Sequence, residues 1–234
     1  MGYYPMYFDP TYLLVIVGII LSMLASAKVK NTFAQYSRVQ AVRGMTGAQV
    51  AQYILRQEGI TDVTVGRISG DLTDHYDPRT KTLRLSNTVY GSTSVAAVSV
   101  AAHECGHAVQ HQQGYMPLSL RSAIVPVANF GAHLSWPLVI LGIILGGIPI
   151  LIKVGVLLFA AVVAFHLITL PVEFNASSRG LKVLENSGIL QGEENTYAKK
   201  VLGAAALTYV ASAAAMSLQL LRLLILTRGY RNND

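Results

Sequence analysis

Charge is scarce in this chain: only 13% of its 234 residues are Asp, Glu, Lys or Arg, against about 25% in an average soluble domain. Hydrophobic residues make up 52%, and the two figures together point away from an ordinary soluble domain and towards a membrane protein. There is one cysteine, Cys105, which excludes an internal disulfide and leaves the redox compartment open. No base precedes the first apolar run, as a secretory leader would require, and there is no acidic tail and no internal repeat. The net charge of +6 comes from basic residues scattered beside apolar runs. They read as topology determinants facing anionic lipid, so no nucleic-acid partner is expected.

What the chain does have is long hydrophobic runs. After MGYYPMYFDP, Thr11 to Ala27 form an apolar run at the lower limit for a spanning helix. Lys28, Lys30, Arg38 and Arg43 follow it, which predicts a retained anchor (residues 11–27) with its N-terminus outside and the next segment in the cytoplasm. Residues 118–170 read as a transmembrane hairpin turning at Gly146-Gly147-Ile148-Pro149, with Lys153 near the turn and His166 within the second span. Residues 171–200 are polar and amphipathic, and residues 201–227 form a last hydrophobic helix, rich in alanine, that is expected to span.

Residues 31–117 are the stretch long and polar enough for a folded domain outside lipid. Thr46-Gly47-Ala48 opens an amphipathic helix to about Gln57, which Gly59 ends. Val63 to Ile68 reads as a strand, Asp77-Pro78 as a turn and Thr82 to Leu85 as a second strand. A small sheet therefore precedes residues 94–113, SVAAVSVAAHECGHAVQHQQ, which read as helix capped by Ser92, Thr93 or Ser94. Asp74 and His75, between the two strands, are as easily turn-stabilising groups as cleft residues.

That helix carries His103-Glu104-Cys105-Gly106-His107, an H-E-x-x-H match. Residues four apart lie on one helix face, so both imidazoles can converge on one ion. Glu104 points alongside, placed to act on a water whose pKa zinc lowers to about 7. The plain competing reading is a pair of core histidines satisfied by neighbours. Cys105 lies on the opposite side and reads as packing. His111 is ~12 Å from His103 along the axis and cannot share the ion. Gln113 occupies the place of a third metzincin histidine, which excludes that class.

A catalytic zinc takes three protein ligands and one water. Glu173 is the best third candidate: it is expected to open a helix in the E-x-x-A pattern Glu173-Phe174-Asn175-Ala176, whose small alanine permits close packing on the metal helix. Two spans separate it from His107, so the chain returns to the same side of the membrane. The alternative is a charge that marks the end of a span. Arg179 and His166 are candidates for stabilising a developing oxyanion.

The segments H-E-C-G-H-A-V-Q, D-H-Y-D-P-R-T-K-T-L-R-L-S and L-P-V-E-F-N-A-S together resemble the prokaryotic membrane-bound neutral zinc metallopeptidases of the YugP-like family. That family is similar to the HtpX and CAAX-prenyl-protease group of gluzincins. The resemblance implies an integral membrane endopeptidase with one zinc ion per chain, ligated by His103, His107 and Glu173, with Glu104 as general base. Gluzincins often carry an Asp four residues after the ligand Glu to orient a zinc histidine; here Ser177 stands there, and Ser177, Asn175 or another residue takes that role. The expected fold is a mainly α membrane protein, a helical transmembrane bundle with a small α+β zincin-like catalytic domain. The expected setting is a multi-pass protein of the cell membrane, its catalytic domain cytoplasmic, acting on membrane-associated or unfolded polypeptides. Two other readings are a purely structural zinc site and a zinc hydrolase of a non-peptide substrate.

Overall fold

The computed structural model describes residues 9–231, with side chains to residue 228. The opening MGYYPMYF and the last residues of RGYRNND lie outside the described residues. The elements, in chain order, are α1 (Tyr12–Tyr36), α2 (Gly47–Gln57), β1 (Thr64–Ile68), β2 (His75–Asp77), β3 (Thr82–Ser86), α3 (Asn87–Tyr90), α4 (Val95–Gln112), α5 (Met116–Ile144), α6 (Pro149–Asn186) and α7 (Glu193–Arg231). The fold is mainly helical with one small sheet. Four helices, α1, α5, α6 and α7, are long and apolar enough to cross a membrane.

The chain divides into two compact units, the first made of residues 1–24, 124–167 and 211–234 and the second of residues 25–123 and 168–210. In the first, Val139, Phe159, Val163 and Leu223 form a buried cluster, with Trp136 edge-on to Phe159. Glycines let helices approach: a Cβ at Gly131 would stand 2.6 Å from the Leu158 carbonyl oxygen, and one at Gly155 2.7 Å from that of Ser135. Arg222 is held between Asp9, Thr11 and the Tyr12 ring. Leu13, Ile16, Ile19 and Ile20 on α1 stay exposed, as suits a helix surrounded by acyl chains rather than water.

The second unit has a core of its own, in which Val50 and Ile54 of α2, Leu83 and Leu85 of β3, Val98 and Ala101 of α4, and Leu184 of α6 are buried. Helix α2 starts where its capping box dictates: Thr46 Oγ1 accepts from Gln49 N, and Gln49 Oε1 accepts from Thr46 N. Gly59, at φ +69°, turns the chain out of it. The sheet order is β1-β3-β2, with β1 parallel and β2 antiparallel to β3. The sequence reading has no β2 and takes this region for a turn. Its three residues are too short for an alternation to register, and Asp77-Pro78 at its end carries the stronger signal. Asp74 accepts from Ser86 N at 2.7 Å and from Ser86 Oγ, tying the approach to β2 onto the end of β3. Asp74 is thus a structural group, and burial raises its carboxyl above the ordinary value despite those bonds.

One element differs from expectation in a way that matters for the site. Pro171 does not divide the apolar run from the polar one; α6 is continuous from Pro149 to Asn186 with Pro171 inside it. Proline removes one hydrogen bond and strains the preceding turn, but the thirty-eight-residue helix absorbs the loss. Glu173 therefore stands well inside a helix instead of opening one, on a rigid support.

Candidate metal centre

The site belongs entirely to the second unit. Helix α4 brings His103 and His107 to one face, with ring centroids 4.8 Å apart and rings nearly perpendicular. Ser94 caps that helix by accepting from Ala97 N at 3.2 Å. Helix α6 crosses it at backbone contact. A Cβ at Gly106 would lie 2.3 Å from the Ala176 carbonyl oxygen, and one at Gly180 would lie 2.7 Å from that of Ala102. Gly106, between the two histidines, and buried Ala176, three residues after Glu173, are what let the carboxylate reach the imidazoles. Its Oε2 stands 3.3 Å from His103 Nε2 and 3.5 Å from His107 Nε2.

The remaining nitrogens are occupied. His103 Nδ1 is 3.0 Å from Ser177 Oγ, and His107 Nδ1 is 3.0 Å from Gln110 Oε1. Gln110 Nε2 donates to Val172 O at 2.8 Å and to Asn175 Oδ1 at 2.9 Å. Because Val172 O can only accept, the amide orientation is set, and its oxygen faces His107. His107 Nδ1 must then donate, which leaves the Nε2 lone pair of the neutral ring directed at Glu173. Burial alone would push the His107 pKa down, but contact with Glu173 and the charge of Glu104 raise it above the ordinary 6.5.

Glu173 Oε2 is buried and makes no hydrogen bond. A buried carboxylate oxygen left without a donor is costly, unless a cation sits between it and the facing imidazoles. Among the described residues, His103, His107 and Glu173 offer ligand atoms that all lie within 4.8 Å of one another, as one ion requires. Two imidazoles and a carboxylate make a donor set suited to zinc. Glu104 is buried next to this trio but outside it.

Other expectations fall differently. Arg179 donates from Nε to Asn175 Oδ1 and from Nη1 to Gln113 Oε1, so its guanidinium is engaged by neutral amides. His166 belongs to the first unit, with its ring against Phe165. Cys105 is buried, its Sγ 3.6 Å from Ala51 O, and burial first and Glu104 second hold the thiol well above its ordinary pKa. His111 bonds Tyr76 Oη at 2.9 Å. Sequence reasoning assigned no role to Gln110, Arg121 or Tyr209. Gln110 was findable, since the i,i+3 spacing puts it on the face of His107. Arg121 Nη1 stands 3.3 Å from Glu173 Oε1, and its signal was a base set in an otherwise apolar run. Tyr209 of α7 lies close enough to Glu173 and Glu104 to feel their charge, and nothing in its alanine-rich stretch marked it.

Residues 11–228 match the family described as "Putative neutral zinc metallopeptidase". The chain belongs to that family. It is similar, at 48% identity over 221 residues, to the "Putative membrane protease YugP" of Bacillus subtilis (strain 168), an alignment covering 94% of this chain and 98% of the relative. No solved structure matches the chain. The family's description contains zinc and peptide hydrolysis, and the trio on α4 and α6 supplies the donors such an ion needs.

Proposed function

We propose that the chain is a membrane-embedded zinc endopeptidase in which His103, His107 and Glu173 hold the ion and Glu104 is the general base. The observation that carries this reading is the orphaned Glu173 Oε2, buried and facing two imidazole nitrogens whose partner nitrogens are already bonded. Three protein ligands match a catalytic zinc, whereas a structural site is closed by four. When bound, zinc would supply Lewis acidity to the scissile carbonyl and lower the pKa of water to about 7.

The protein's own contribution is positioning and proton transfer. Ser177 and Gln110 orient the imidazoles, and the Gly106–Ala176 contact sets the distance between the two helices. Glu104 takes the proton of the attacking water and returns it to the leaving amine. The second unit, with its small sheet and H-E-x-x-H helix, is read as a zincin-like catalytic domain. Four spans make the protein multi-pass, with that domain on the cytoplasmic side, acting on polypeptides at the membrane surface.

Glu104→Gln keeps the size of the side chain and removes the base. Zinc content should stay at one ion per chain while hydrolysis of an unfolded protein falls by about 10²–10⁴-fold. His103→Ala and Glu173→Ala should lose the metal. Full proteolysis by Glu104→Gln would remove Glu104 from the reaction, and an undiminished zinc content in Glu173→Ala would move the third ligand elsewhere.

A further inference from the structure

The two oxygens of the Glu173 carboxylate have different surroundings. Oε2 faces the imidazoles, while Oε1 lies 3.3 Å from Arg121 Nη1. The Glu173 side chain is 3% exposed and that of Arg121 29%, so the guanidinium reaches in from a partly open position to a carboxylate almost out of solvent. This placement follows from the chain. Helix α4 ends at Gln112, Gly114 reverses direction at φ +61°, and α5 begins at Met116, so Arg121 falls in the second turn after the corner.

Resting on the zinc reading above, we infer that Arg121 is a positioning residue for the metal-ligating carboxylate: it occupies Oε1 so that Glu173 ligates through Oε2 alone. A buried carboxylate oxygen needs a donor, and the guanidinium supplies one to Oε1. With Oε1 bonded to the guanidinium, two-oxygen ligation is blocked, and a coordination position stays open as catalysis requires. Partners of ligating groups are also where metal affinity is commonly tuned.

The test uses the full chain purified in detergent, with zinc affinity read by competition against a chromophoric chelator and ligand geometry read from the visible spectrum of the cobalt-substituted protein. Arg121→Gln should weaken zinc binding by about 10–100-fold and shift the cobalt spectrum towards the weaker absorption of higher coordination. Arg121→Lys, which keeps the charge but not the planar fork, should recover part of the affinity. Arg121→Gln with wild-type affinity and spectrum overturns the inference and leaves the zinc site standing. Equal losses in both variants, with equally lowered melting temperatures, make Arg121 a structural residue and overturn it too. A folded wild-type protein that binds no zinc removes the site reading itself, and this inference with it.

Discussion

His107 shows how one side chain links protonation to metal binding. In the metal-free protein its imidazole keeps a proton to a higher pH than an ordinary histidine: burial opposes this, but Glu173 and Glu104 outweigh it. A pKa raised above the unfolded value stabilises the metal-free fold at low pH, and that stabilisation is lost as pH rises through the folded value. Zinc needs the neutral ring, so its affinity moves the other way and falls on acidification. The expected outcome is that zinc affinity begins to fall at a pH above 6.5, the ordinary histidine value, and that the gap in melting temperature between loaded and metal-free protein narrows as pH is lowered. Calorimetry of both forms across neutral pH checks it. A gap constant down to pH values well below that of free histidine would disprove the coupling.

At the scale of elements, the decisive feature is the crossing of α4 and α6. Gly106→Ala puts a methyl group 2.3 Å from the Ala176 carbonyl oxygen. Overpacking of this kind costs about 1–3 kcal/mol, while the alanine returns only about 1 kcal/mol of helix propensity. Gly106→Ala should therefore be destabilised and bind zinc more weakly. Gly203 in α7 has nothing within 4 Å of its would-be Cβ, so Gly203→Ala should be stabilised by about 0.5–1 kcal/mol. Denaturation midpoints of the two variants, measured side by side, separate close packing from propensity. Equal midpoints would mean the helices are not in backbone contact. The same scale shows where sequence reading fails: β2 is too short for its period to register, and Pro171 reads as a boundary because a local rule cannot see the helix that continues past it.

For the whole molecule, the chain leaves the unit holding the site at Ala123 and re-enters it at Ile168. If the intervening residues go through the membrane and back, Asp71 and Lys199 must face the same compartment. Both are exposed, and the native thiol, Cys105, is buried with a raised pKa and should not react. Single cysteines placed at Asp71 and Lys199 should be blocked by a membrane-impermeant maleimide only after whole cells are permeabilised. Labelling of both in whole cells would reverse the proposed orientation, and labelling of one alone would break the there-and-back path.

The residue types of the candidate metal trio, and the spacing that puts its two histidines on one helix face, can be read from the amino-acid sequence because helical period and hydrophobic length are local properties. The long helices are legible for the same reason. Gln110, Ser177 and Arg121 are legible only as candidates, Ser177 by its place four residues after Glu173, Gln110 by its place on the face of His107 and Arg121 as a base in an apolar run. Each acts through a contact across the α4–α6 crossing or around the α4–α5 corner, at sequence separations of 62, 74 and 52 residues for Gln110 to Val172, Ser177 to His103 and Arg121 to Glu173. Hydrogen bonds across such distances depend on how two helices meet, and only the packed tertiary structure decides that.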